Sequence, residues 1–187
     1  MDSTTTVYVL VAILIVAVLI AALLATRRRR TRRLRTKFGP EYDHAIVHDG
    51  GRGKAEAALE ARERHVQKLT IRALAPAERD FYLNAWNRAQ AAFVDDPAGS
   101  IAQADQLVGV VMSTRGYPVS DFEQRAADIS VENPLIVQHY RAGHALTLRC
   151  QGGAATTEDL RQAMIHYRAL FDDLVGIPGA VRTQLAS

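Results

Sequence analysis

Between Val7 and Ala25 the chain reads VYVLVAILIVAVLIAALLA, 19 residues without a charge, a glycine or a proline. As a helix rising about 1.5 Å per residue, this run would be roughly 28 Å long, the thickness of the hydrocarbon core of a bilayer. A membrane-spanning helix is therefore expected. The residues ahead of it, MDSTTT, carry one charged side chain, Asp2, which is acidic. A cleaved export signal opens with positive charge, so an anchor is the better reading and export the weaker one. Eight basic residues follow within eleven: Arg27, Arg28, Arg29, Arg30, Arg32, Arg33, Arg35 and Lys37. Basic flanks stay in the cytoplasm, which predicts an N-terminus outside and a C-terminal domain inside. Each such residue near an anionic leaflet contributes about 1 kcal/mol, so the same eight are expected to contact lipid at the inner surface.

The sequence pI of 9.2 would suggest nucleic acid, were the charge spread evenly. It is not: residues 38–187 carry 15 basic and 19 acidic side chains, a formal −4. The basic character belongs to the run beside the span, and no aromatic stacking platform accompanies it, so nucleic acid is not an expected partner. Cys150 is the only cysteine. It can form neither an intramolecular disulfide nor a cysteine zinc site.

Beyond the basic run, "FGPEYDHAIVHDGGRGK" contains Gly39-Pro40, Gly50-Gly51 and Gly53 and reads as a linker with at most a short helix over 40–47. "KAEAALEARERHVQKL" bears a thin apolar stripe, Leu59, Val66 and Leu69, on a charged helix, suggesting a stalk. Pro76 opens a helix with Tyr82, Trp86, Ala89 and Phe93 on one stripe and Phe81 and Ala85 beside it. Asp96-Pro97 opens another, with Ile101, Ala104, Val108, Val111 and Met112 inward, ended by Gly116. Ser120 and Glu123 are spaced as a capping box ahead of Phe122, Ala126 and Ile129. Asn133-Pro134 starts the next helix and Gly152-Gly153 stops it. Thr156 with Asp159 caps the last, where Leu160, Ala163, Met164, Tyr167, Leu170, Phe171 and Leu174 follow the helical period. No strand pattern emerges. The expected fold is all-α, a transmembrane helix followed by a bundle of five or six helices. Its divisions are 1–26 for the N-terminal tail and span, 27–53 for the basic run and linker, 54–175 for the helical domain and 176–187 for a flexible tail.

Candidate chemistry is sparse. The tetrapeptide His-Tyr-Arg-Ala occurs at 139–142 and again at 166–169, so Arg141 and Arg168 could clamp a carboxylate or phosphate in one groove. The plainer reading has the tyrosines packed inward and the arginines reaching to solvent. His44 and His48 share a helical face but lack the glutamate of a zinc-protease motif, and no metal is expected. No phosphate-binding loop, dinucleotide fingerprint or activated nucleophile is present, so neither a cofactor nor catalysis is expected. Trp86, on the heaviest apolar face, would contact a protein partner only if the core leaves it free. Ala17, Ala21 and Ala25 recur every fourth residue and would allow two spans to approach, a route to a homo-oligomer.

The stretches "FGPEYD", "FVDDPAGSIAQADQLVGVVMSTRGYP", "DFEQRAADISVENP" and "TEDLRQAMIHYRALFDDL" together resemble an uncharacterised family of bacterial proteins, frequent in actinobacteria. Its members have an N-terminal hydrophobic helix, an arginine-rich flank and a helical domain, and the resemblance covers roughly residues 33–175. It implies a single-pass protein of the bacterial inner membrane and carries no activity with it. One departure is local: Ala75 offers no capping side chain where that family places a polar residue. The leading functional expectation is a membrane-tethered cytoplasmic interaction or scaffold domain. An exported, periplasm-facing anchored protein is one alternative; a tethered ligand-binding or enzymatic domain is the other.

Overall fold

The computed structural model describes residues 3–118 and 120–176; the expected tail lies outside them apart from Gly176. Eight helices occur among these residues and no strand. The first, α1 (Ser3–Phe38), runs from the apolar segment through the whole basic run without a break. Nothing in that stretch could interrupt it: the first glycine is Gly39, at φ 49°, and Pro40 follows. Leu10–Phe38 is long and apolar enough to cross a membrane, and its most apolar 18 residues have a mean hydropathy of 2.7 and are not buried against the protein.

Residues 27–53 are not a linker. Pro40 sits in the first turn of α2 (Pro40–His48), and α3 (Arg52–Val66) follows after the turn at Gly50 and Gly51, both with positive φ. Leu34 and Phe38 from the end of α1 pack with Tyr42, Ala45, Ala55 and Leu59 into a small core of their own. Four large side chains buried there contribute about 1.5–3 kcal/mol each, enough to hold the end of α1, α2 and α3 as one body. The glycines that suggested a flexible tether are hinges between packed helices.

The larger core joins α4 (Pro76–Ala92), α5 (Pro97–Arg115), α6 (Phe122–Glu132), α7 (Ile136–Gln151) and α8 (Thr157–Val175). The seven positions that follow the helical period in α8 are all buried, as are the five expected inward residues of α5. Local chemistry sets the ends. Asp96 accepts a hydrogen bond from the Gly99 amide, Thr156 from the Asp159 amide, and Gly116 closes α5 in the left-handed region. At α6 the cap is Asp121, one residue past the expected Ser120, accepting from the Gln124 amide. Ser120 instead donates to the Pro118 carbonyl. Ala75 indeed lends α4 no side-chain cap, but Glu78 reaches back to accept from the Ala75 amide at 2.8 Å.

The two cores meet at α6. Val131 packs on the smaller core from α6, whose Ala126 and Ile129 belong to the larger. Beside this seam Glu41, fully buried, accepts from Arg62 of α3 and Arg141 of α7, both at 2.9 Å. Helix α1 is thereby continuous with the bundle through packing as well as through the chain.

Candidate functional site

The basic run divides into two groups. Arg30, Arg33 and Lys37 fall on one face of α1 at spacings of 3 and 4. Glu56, Glu60 and Glu63 fall on one face of α3 at spacings of 4 and 3. Arg30 donates to Glu60 at 2.8 Å and Arg33 to Glu63 at 2.7 Å, while Lys37 reaches Glu63 at 2.8 Å. Both arginine pairs are separated by 30 residues, so α1 and α3 run in the same direction. Thr31 and Tyr42 both donate to Glu56, which is almost fully buried. Arg35 lies 3.6 Å from Asp43. Half of the residues expected to face lipid are therefore engaged by carboxylates. The exposed pairs among them contribute little on their own, but the buried Glu56 and Glu63 need these donors.

Arg27, Arg28, Arg29 and Arg32 differ. All four are exposed, and among the described residues none has a carboxylate within 4.0 Å. They occupy the turns of α1 nearest the apolar span. Because α3 runs parallel to α1, its first residues, Arg52 and Gly53, return to this level. Leu24, Arg27, Arg28, Arg32, Arg52 and Gly53 line one cleft of about 740 Å³, with Glu56 on its wall. Arg52 was not legible as part of a basic site, since 14 residues and two helix boundaries separate it from Lys37.

The two Tyr-Arg pairs do not form one groove. Arg141 is held by Glu41 and, at 3.2 Å, by Glu123. Arg168 is held by Asp172 and by Gln90 of α4. They share no partner. Both tyrosines are fully buried: Tyr167 donates to Asp105 at 3.0 Å, and Tyr140 contacts the larger core. Trp86 is 1% exposed and stacks on Phe171 at a centroid distance of 4.7 Å. It belongs to the larger core, and Arg168 lies 6.0 Å from its ring. Phe81, five residues before Trp86, remains 62% exposed on α4.

The repeat does bring its histidines together. Helices α7 and α8 are antiparallel neighbours, and His139 and His166 meet with their Nδ1 atoms 3.0 Å apart. Such a contact requires one nitrogen to donate and the other to accept, so the pair cannot carry two charges and keep it. Burial pushes both imidazoles below their ordinary range, and the charge of His139 depresses His166 further. The repeated tetrapeptide was the available signal for this pair; spacing within one helix could not reveal it. His44 and His48 do share a face of α2, their rings 6.1 Å apart. Among the described residues no group of three or more His, Cys, Asp or Glu side chains could hold a metal ion. Cys150 is half-buried at the end of α7.

No protein-family model, curated protein or solved structure matches this chain.

Proposed function

We propose that the protein is a single-pass component of the bacterial inner membrane that displays its helical domain to the cytoplasm and acts by tethering or scaffolding a protein partner. The observation that supports this most directly is the unbroken α1, whose distal end is buried in the smaller core through Leu34 and Phe38. A flexible tether would only raise local concentration. A span continuous with the domain also sets the domain's height and orientation above the bilayer, which is useful for positioning a partner. The topology rests on the basic flank, and its argument survives the ion pairs, because basic residues near a span orient it largely irrespective of nearby acids. The resemblance to an actinobacterial family supports the bacterial setting. Neither catalysis nor a cofactor is part of the proposal.

With Trp86 committed to the core, the remaining large apolar side chains on the bundle surface include Phe81, Val94 and Val110. Topology is tested with a cysteine at Val94, which is 85% exposed, in a Cys150→Ser background. A membrane-impermeant maleimide should label it only after the cells are opened; labelling of intact cells would support the exported alternative. For the partner, affinity purification of the full-length chain after chemical crosslinking in native cells should capture one cytoplasmic protein. A chain lacking residues 38–187 should recover none, and recovery of the same protein with that truncation would remove the domain from the reading.

A further inference from the structure

We infer that the cleft between the start of α3 and the membrane-proximal turns of α1 is a binding site for the headgroup of an anionic phospholipid. This rests on the membrane-anchored reading and goes beyond a general attraction to the surface. A diffuse basic flank needs no particular geometry. Here Arg27, Arg28 and Arg32 from α1 converge with Arg52, from an element 14 residues farther along, on one concavity. Among the described residues none of the four has a carboxylate within 4.0 Å, although every other basic residue of the run except Arg29 has one. Glu56, the acid on the wall, is already bonded to Thr31 and Tyr42 and lies 3.7 Å from Arg30. Its one ion pair among the described residues is to Arg30, so it forms none with the four guanidinium groups. Guanidinium groups converging in this way suit a phosphate, which each can meet with two parallel N–H donors.

The first amides of α3 add to the same field. Gly51, at its N-cap, supplies no side-chain acceptor, and the space a side chain at Gly53 would enter is open. The amides there are left for solvent or an anion. The position selects the source of the phosphate. Leu24, the last full turn of the apolar span, forms one wall, so the opening lies at the level where acyl chains give way to headgroups. A phospholipid can lay its chains along the exposed apolar surface of α1 and its phosphate among the arginines. At about 740 Å³ the cleft is large enough for a glycerophosphate headgroup.

The test uses the full-length protein in detergent micelles, titrated with phosphatidylglycerol or phosphatidylcholine, with retained lipid counted by native mass spectrometry. Arg52→Gln is the informative variant, because Arg52 is exposed, makes no ion pair among the described residues and lies outside the flanking run. Arg88→Gln, an exposed arginine on α4, is the control. Phosphatidylglycerol should be retained in preference to phosphatidylcholine, and Arg52→Gln should weaken that retention about fivefold while Arg88→Gln leaves it unchanged. Equal retention by Arg52→Gln and wild type, or equal losses in both variants, would overturn the site while leaving the anchor intact. Displacement of the lipid by millimolar inorganic phosphate would assign the cleft to a soluble anion instead. Release of the protein from native membranes by alkaline carbonate would overturn the anchored reading, and this inference with it.

Discussion

Replacing Glu41 by alanine should destabilise the whole cytoplasmic domain, not only the helix that carries it. The Glu41 carboxylate is fully buried, and its Oε1 accepts from Arg62 and Arg141 at 2.9 Å each. Both arginine side chains are only 16% exposed. Removing the acid leaves two largely desolvated cations facing each other, with Glu123 as the remaining carboxylate for Arg141. Breaking a buried pair in this way costs about 3–5 kcal/mol, a large part of the roughly 5–15 kcal/mol by which a typical domain is stable. Trp86 is the only tryptophan, and it lies in the larger core while Glu41 lies in α2. Urea unfolding of the full-length protein in a mild detergent, followed by tryptophan fluorescence, therefore reports on the bundle at a distance from the mutation. The Glu41→Ala midpoint should fall by the equivalent of about 3 kcal/mol or more, and converting all three partners to apolar residues (Glu41→Leu, Arg62→Met, Arg141→Met) should recover most of it. A loss below about 1 kcal/mol, the size expected of a solvated pair, would refute the buried-charge argument. An unchanged Trp86 transition with separate early melting of α1–α3 would refute the coupling of the two cores.

Three further outcomes follow from other parts of the structure. Gly116→Ala should cost at least about 2 kcal/mol by thermal or urea unfolding, because φ is 101° there and the new methyl carbon would lie 2.4 Å from the Thr70 carbonyl oxygen. Phe38→Ala should remove about 3–5 kcal/mol from the smaller core and make residues 39–53 sensitive to limited proteolysis, whereas the folded wild type resists. For His139 and His166, whose folded values are depressed, the unfolded chain takes up protons first as pH falls, so stability is full above about pH 6.5 and declines below it. Asp128 and Asp173, raised by burial, tilt the other way, so the comparison is made with His166→Gln, which leaves those carboxylates in place. The variant should lose less stability than wild type between about pH 7 and pH 5.5, and parallel profiles would show that the pair does not titrate with unfolding.

Much of this molecule is written in short windows of its sequence. The 19-residue apolar run specifies a helix long and apolar enough to span a membrane, by length and composition alone. Asp96-Pro97, Gly116 and the Thr156–Asp159 pair specify helix ends, because a cap satisfies amides only three residues away. The inward faces of α5 and α8 follow from the helical period, since apolar side chains on one stripe have one favourable fate. Charged residues have two. A glutamate in an isolated helix defaults to water, and only a second helix bringing donors to it makes burial tolerable. Nothing in the sequence marks Glu41, Glu56 and Glu63 for burial, and the segment around Gly39 and Gly50 reads as a linker, until α2 reverses the chain and lays α3 parallel to α1. That reversal decided which arginines are structural and which remain free beside the apolar segment. Tertiary packing likewise separated Arg141 from Arg168, enclosed Trp86 and set Arg52 beside Arg28, because contacts across 24 to 100 residues depend on how helices cross and not on spacing within any one of them.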